Sequence, residues 1–135
     1  MTPITQTING LTAGQKYDVT FYYAGAQQYS YTSPTTEAWY VSLGGGPSVM
    51  TPILNNMSHG FTGWQKETIA LTANGSSDVL SFLAYGTPSG VPPFTLLADV
   101  SLVAAPEPSS VVAGGLVLLA LGGSTLLKFR KQKPA

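Results

Sequence analysis

Clusters of turn-forming residues interrupt the first 104 residues of the chain at short intervals. The clusters read NGLTAGQ, GGGPS, NNMSHGFTG, NGSSD and GTPSGVPP. Gly, Pro, Asn and Ser are favoured in turns, and the segments between the clusters lack the long 3.6-residue periodicity of a helix. The pattern predicts an all-β domain of about six short strands, folded as an antiparallel sandwich rather than a parallel sheet.

The segments between these clusters alternate apolar and polar residues, so each one predicts which side chains face the core. The predicted core-facing set comprises Tyr17, Val19, Phe21, Tyr23, Trp39, Val41, Leu43, Ile69 and Leu71. The segment FTLLADVSLV alternates most regularly, and its predicted inward side chains are Phe94, Leu96, Ala98, Val100 and Leu102. The segment DVLSFLAY is apolar on both faces, which is typical of a central strand covered on both sides.

Charge is scarce and unevenly distributed along the chain. Only 9% of the 135 residues are charged, and the formal net charge is zero. Residues 1–107 hold all six carboxylates but only two of the six basic residues. An acidic body argues against nucleic-acid binding, which needs a basic face. Since the chain has no Cys and one His, zinc fingers, iron–sulfur clusters, disulfides, thiol catalysis and multi-His metal sites are excluded.

The C-terminal end has the composition of a membrane anchor. Residues 109–127 are uncharged, and as a helix they would span about 28 Å, near the hydrocarbon thickness of a bilayer. A helix that is apolar on every side would need a larger protein to bury it. The basic residues that follow are Lys128, Arg130, Lys131 and Lys133. Because basic residues mark the cytoplasmic side, we predict a transmembrane helix with residues 1–104 outside the cytoplasm.

A specific motif lies directly before this stretch. Pro106, Glu107 and Pro108 precede the Gly- and Leu-rich span and the basic end, and this order resembles the PEP-CTERM sorting tail of exported bacterial proteins. The resemblance covers residues 105–135. It implies an inner-membrane-anchored precursor, recognition by an exosortase near the motif, and a mature form at the cell surface or in the extracellular matrix. The two prolines favour an extended backbone that a protease cleft can hold.

The body carries a second resemblance. The segments TINGLTAGQKYDVTFYYAG, WYVSLGG, GFTGWQKETIALTA and VLSFLAYGTPSGVPPFTLLADVSL resemble the galactose-binding-like jelly roll of carbohydrate-binding modules. This resemblance covers residues 4–103 and rests on GLTAGQKYDVTF, on Gly63 and Trp64, and on ADVSL. We therefore expect two segments, a β-sandwich in residues 1–104 and a sorting anchor in residues 105–135.

The beginning of the chain lacks two features that the resemblances imply. MTPITQTING has no basic region followed by an apolar stretch, as export signals have. It also lacks the Asn-Gly-x-Phe-Glu type of start that opens the jelly roll. The expectation is an N-terminally truncated chain that lacks the first strands of the sandwich. A sandwich with an unpaired edge and part of its core uncovered would be only marginally stable.

No arrangement of residues in the body points to catalysis, and the chain is predicted not to be an enzyme. His59 lies in the turn cluster NNMSHGFTG, which predicts a solvated side chain. Glu37 and Glu67 could be proposed as the carboxylate pair of a glycosidase. Nothing marks either residue for that role, so exposed charges on strand faces are the better interpretation. The sequence also contains no G-x-S-x-G motif.

Aromatic side chains are a better lead to function, because sugar rings stack on flat side chains. The candidate carbohydrate-binding residues are Trp39, Trp64, Tyr29 and Tyr31. Core packing is the alternative for the tryptophans, since β-sheets favour aromatic residues in any case. In the related modules an acid at the position of Asp99 often lies near a structural Ca²⁺, which needs six to eight oxygen ligands. Asp99 is therefore a calcium candidate, with a plain outward-facing residue as the alternative.

These observations predict an exported bacterial surface or matrix protein that an exosortase sorts and that binds extracellular polysaccharide weakly. One alternative is the C-terminal fragment of a secreted hydrolase that carries this module as an appendage. A single-pass membrane protein that is never processed is another.

Overall fold

The described part of the chain folds as β-strands joined by turns and loops. A computed structural model describes residues 1–91 and 93–106, and these contain eight strands and no helix. The strands are β1 (Ile4–Asn9), β2 (Lys16–Gln27), β3 (Thr35–Leu43), β4 (Val49–Met50), β5 (Leu54–Asn56), β6 (Gln65–Thr72), β7 (Ser77–Thr87) and β8 (Pro93–Ala104). The predicted all-β class is confirmed for this part of the chain, with more strands than the six expected.

The strands form two antiparallel sheets. The larger sheet has the order β1-β7-β3-β4, with β5 also paired to β3, and the smaller sheet has the order β6-β2-β8. Every pairing among the described strands is antiparallel. Residues Met1–Ala104 form one compact unit. The predicted antiparallel sandwich is thus confirmed.

The core lies between the two sheets and follows the alternation of the sequence. The predicted core-facing residues of β2, β3 and β6 are all buried. Phe82 of β7 lies at the centre, where its ring contacts Phe21 edge-on at 5.1 Å and Trp39 edge-on at 5.9 Å between centroids. Each large apolar side chain that is fully buried contributes about 1.5–3 kcal/mol. The facing sets of β2 and β3 therefore hold the sheets together.

The segment DVLSFLAY forms most of β7, which lies between β1 and β3 as predicted for a central strand. Its covering is one-sided, however. Leu80 and Phe82 are buried against the core, whereas Val79 on the opposite face is 44% exposed. The expectation of cover on both sides is wrong, because no other layer packs on that face among the described residues.

A β-bulge interrupts β8. The register between β2 and β8 passes from Thr20↔Ser101 to Tyr22↔Ala98, so that three steps along β8 oppose two steps along β2. Asp99 lies in this bulge with a φ of 53°. A left-handed backbone is uncommon outside glycine, although Asp and Asn tolerate it better than most residues.

Because of the bulge, the side chains of β8 that face the core differ from those predicted. One extra residue moves the following side chains to the opposite face of a sheet. Leu97 and Leu102 pack against the core, while Phe94 and Val100 are exposed. The prediction of strict alternation over the whole segment is therefore wrong. The odd-numbered Leu97 faces the core before the bulge, and the even-numbered Leu102 faces it after the bulge.

Glu37 is buried in the sandwich rather than exposed on a strand face. Thr35 Oγ1 donates a hydrogen bond to Glu37 Oε2, and Glu37 Oε1 has no partner among the described residues. Burial raises the pKa of this carboxyl, and the hydrogen bond from Thr35 opposes part of that rise. Gly25 makes room for the carboxylate, because a Cβ atom at that position would overlap it.

Two loops at one end of the sandwich are tied together by hydrogen bonds. The Gln27 side chain donates from Nε2 to Ser33 O at 2.9 Å and accepts from His59 N at 2.6 Å. Ser33 N also donates to Ser58 Oγ at 2.9 Å. These bonds join the β2–β3 loop to the β5–β6 loop. His59 is exposed, as predicted.

The predicted anchor lies outside the described residues. Pro106 is exposed, whereas the rest of the PEP motif, the stretch 109–127 and the basic end fall beyond the described part of the chain. Within residues 1–91 and 93–106, no helix is long and apolar enough to cross a membrane. The sorting tail and the division of the chain at residue 104 stay predictions.

Candidate binding site

The outer face of the three-stranded sheet carries an aromatic residue at its centre. Alternation along β2 buries Phe21 and Tyr23, so Tyr22 between them faces outward. Its cross-strand neighbours are Lys66 on β6 and Ala98 on β8. Ala98 is a small neighbour, and Tyr22 is 36% exposed.

The connection into β6 brings a second ring to this face. Two hydrogen bonds hold Thr62 against the end of β2. Thr62 N donates to Gly25 O at 3.0 Å, and Thr62 Oγ1 accepts from Gly25 N at 2.9 Å. Gly63 follows with a φ of 83°, a conformation that glycine adopts without strain. The chain therefore turns immediately before Trp64, one residue ahead of β6.

Phe61 and Trp64 form an exposed aromatic pair. Their rings meet edge-on, with centroids 6.2 Å apart and an interplanar angle of 74°. Phe61 is 55% exposed and Trp64 is 47% exposed. A cavity of about 470 Å³ lies beside them, lined by Tyr22, Trp64, Ala98 and Asp99. We call these four residues and Phe61 the aromatic face.

Asp99 supplies the carboxylate of the aromatic face. Its side chain forms no hydrogen bond or ion pair with another described residue, although the bulge holds its backbone at positive φ. Bulges often re-aim a side chain beside a functional site, and strained backbone conformations cluster at such sites. An exposed carboxylate beside two aromatic rings can accept hydrogen bonds from a ligand that stacks on them.

The described residues hold no group of three or more His, Asp or Glu side chains that could bind a metal ion. Asp99 is thus a single carboxylate, and a calcium site needs six to eight oxygens. The residues described around Asp99 do not fit the calcium site that the resemblance implied.

The four candidate carbohydrate-binding residues have different surroundings. Trp39 is only 3% exposed, and its Nε1 donates to Leu96 O at 3.2 Å. The ring belongs to the core, so Trp39 is removed from the candidate site. Trp64 remains, because it lies on the surface next to a cavity.

Tyr29 and Tyr31 lie in the β2–β3 loop. Tyr29 is 91% exposed and Tyr31 is 38% exposed. Neither ring contacts another aromatic ring among the described residues. Both are therefore accessible, but the structure does not join them to the aromatic face.

Another cavity lies near the same loops, with a volume of about 380 Å³. Residues 34–36, 55–57 and 87–88 line it. This lining contains neither an aromatic ring nor a charged side chain, so it offers nothing on which a sugar ring could stack. The aromatic face is the better candidate on chemical grounds.

Two aromatic rings of the aromatic face were absent from the sequence-based candidates. Tyr22 had a usable signal, because an aromatic residue stands at an outward position of the alternating segment YDVTFYY. Phe61 had none, since its place beside Trp64 depends on the Thr62 hydrogen bonds and the turn at Gly63.

Comparisons with known proteins bear on the fold. No protein-family model matches the sequence, and no curated protein matches it. A solved structure described as "EclA C-terminal domain; sugar-binding protein" is similar with a TM-score of 0.51 and 17% sequence identity. The similarity covers 73% of this chain and 64% of that chain. It shows that the described residues share the β-sandwich fold of that domain.

A second solved structure, titled "CBM4 structure and function", has a TM-score of 0.42 and 19% identity. That similarity covers 76% of this chain and 61% of that chain. The present chain thus spans less than two thirds of the length of either structure. At these identities the similarity concerns the fold alone, and the ligand has to be argued from the site.

Proposed function

We propose that residues 1–104 are a polysaccharide-binding module and that the aromatic face is its binding site. The observation that carries this proposal is the exposure of Trp64 and Phe61 beside a cavity that Tyr22 and Asp99 also line. Sugar rings stack their C–H faces on such rings, while hydroxyl groups donate to a carboxylate. The sugar-binding protein with a similar fold supports the proposal.

The expected affinity is low. The few contacts available on an open face must offset the motional freedom that a flexible oligosaccharide loses on binding. We expect dissociation constants near the millimolar range, about −4 kcal/mol. Binding of this strength becomes effective when many copies meet one polymer. A module of this kind needs no catalytic group, which is why we propose a binding protein rather than an enzyme.

Truncation of the exposed tryptophan tests the proposed function. In a pull-down with insoluble polysaccharides, the full chain in detergent should be retained and Trp64→Ala should be lost. Tyr29→Ala is the matched control, since it removes an exposed ring outside the aromatic face. Equal retention of all three proteins, or retention of none, would contradict the proposed site.

For the whole chain we propose export, sorting by an exosortase, and display at the surface of a bacterium or in its extracellular matrix. This part rests on the sequence of residues 105–135, with Pro106 to Pro108 ahead of an apolar stretch and four basic residues. An extracellular location would put the aromatic face in contact with polysaccharide, and the inner membrane would hold only the precursor.

Intact-mass measurement tests the sorting proposal. Expressed behind an export signal in a host that has an exosortase, the mature protein should lack the KFRKQKPA end. Glu107→Ala should keep the tail and accumulate in the membrane, whereas Ser101→Ala, outside the motif, should be processed normally. A mature protein that retains its tail would reduce the motif to a linker.

A further inference from the structure

We infer that the aromatic face selects sugars that carry a free amine, and this inference rests on the proposed function. The groups that line the cavity are two aromatic rings, one alanine and one carboxylate. Aromatic faces attract cations through the ring quadrupole, most strongly for Trp and then Tyr. A carboxylate attracts the same cation and shortens its hydrogen bonds. Trp64, Tyr22 and Asp99 therefore favour an ammonium group over a hydroxyl.

The charges of the sheet agree with this selectivity. Asp99 has no ion-pair partner among the described residues, so its charge is available to a ligand. Lys66 is the nearest cation on the outer face, but it lies on β6, two strands away from β8. Lys66 does not line the cavity, whereas Asp99 does, so the carboxylate is the charge that a ligand in the cavity meets.

The bulge is a reason to assign the selectivity to Asp99 rather than to the general acidity of the body. Asp18 also lies on the outer face of this sheet, between Ala70 and Val103. It occupies a regular strand position and does not line the cavity. Asp99 lines the cavity from a backbone conformation that few residues adopt. The two carboxylates differ in position and not in charge.

The chemistry names the ligand class. A polysaccharide of 2-amino-2-deoxyhexose units, with the amine free and protonated, meets the rings and the carboxylate at once. A neutral glucan stacks on the rings but offers Asp99 only hydroxyl groups. A uronic-acid polymer brings like charge towards Asp99 and is disfavoured. N-acetylation removes the charge of the amine and should remove the preference.

Three oligosaccharides of equal length test the inference with the full chain in detergent, by ligand-observed NMR titration. They are the β-1,4-linked oligomers of glucosamine, N-acetylglucosamine and glucose. Below the pKa of the amine, the glucosamine oligomer should bind about tenfold more tightly than the other two. Asp99→Asn should reduce that preference to about twofold. Asn tolerates positive φ, so the bulge is expected to persist.

Asp18→Asn is the matched control, because it removes one negative charge from the same outer face. It should keep most of the preference. Equal binding of all three oligomers would overturn the inference while the proposed function stands. An equal loss of preference in Asp18→Asn and Asp99→Asn would also overturn it, in favour of general electrostatic attraction. If no oligomer binds, or if Trp64→Ala binds all three normally, the proposed function itself fails.

Discussion

The interior of the sandwich and the outer face of its smaller sheet each hold one of the two tryptophans. Trp39 lies inside, packed edge-on against Phe82 with its indole N–H bonded to Leu96 O. Trp64 lies outside, in contact with Phe61 and beside a cavity. The two residues are chemically identical, and their surroundings differ through strand parity and one turn. The difference teaches that aromatic content alone does not identify a site, whereas exposure together with clustering does.

The largest effect expected from this comparison is on stability. Trp39→Ala should lower the free energy of unfolding by about 3–5 kcal/mol, because it removes a ring from a packed core. Trp64→Ala should lower that free energy by only about 1 kcal/mol, because the ring is 47% exposed and its contact with Phe61 lies on the surface. Urea denaturation of the two variants measures both values. If the two variants lost similar amounts of unfolding free energy, the two tryptophans would not differ in their contribution to the core.

Gly25 offers a second way to break the interior. Gly25→Ala should destabilise the domain by about 1–3 kcal/mol, because the added methyl group overlaps the carboxylate of Glu37. The double variant Gly25→Ala, Glu37→Ala should lose less than the sum of the single losses. Additive losses would show that the methyl group conflicts with the backbone instead. A double-mutant cycle in urea makes this measurement.

The buried acid of the interior predicts a pH dependence. Burial raises the folded-state pKa of Glu37 above its ordinary value, so the folded domain holds that proton more tightly than the unfolded chain. The stabilisation is fully present below the unfolded pKa, and it is lost as pH rises through the folded pKa. We expect the unfolding free energy to fall above about pH 4 and Glu37→Gln to flatten that fall.

Glu67→Gln is the control for this pH dependence, because Glu67 is only partly buried. Thermal unfolding of the three proteins across the acidic and neutral range gives the slopes. A decline of the same slope in Glu37→Gln would assign the pH dependence to another carboxyl group.

The smallest expected effect comes from a substitution of Asp99, which lies on the outer face of the smaller sheet. Asp99→Gly should stabilise the domain by up to about 1 kcal/mol, because glycine adopts a positive φ without the cost that other residues have. The variant should at the same time lose the preference for amine-bearing sugars. Thermal unfolding and the glucosamine titration would be measured on one preparation. A destabilised variant would mean that the aspartate side chain supports the bulge.

Much of the fold could be predicted because it depends on local patterns. Alternation identified the buried faces of β2, β3 and β6, and turn clusters separated the strands. The prediction failed where a distant contact decided the outcome. Glu37 is buried because Gly25 on the neighbouring sheet leaves space for it. At Asp99 the bulge changes which side chains of β8 face the core. A prediction from strict alternation cannot anticipate an extra residue in the strand.

The site was only partly predictable. The sequence supplied Trp64 and Asp99 separately, one as a stacking residue and the other as a calcium candidate. It could not show that both line one cavity, because Trp64 precedes β6 and Asp99 lies in β8. Tyr22 joins them across the ladder, through its pairing with Ala98. Cross-strand register, rather than residue type, creates the site.

The bulge in β8 also bears on self-association. Among the described strands β8 pairs with β2 alone, so its other side is a sheet edge, on which Leu96 O accepts a hydrogen bond from Trp39 Nε1. A long, regular and mostly apolar edge is a template for addition of a strand from another molecule. The extra residue and the charge at Asp99 break that template in its second half, and Pro93 lacks an N–H at its start. The irregularity that carries a carboxylate to the rings therefore also interrupts the regular edge that addition of a strand requires.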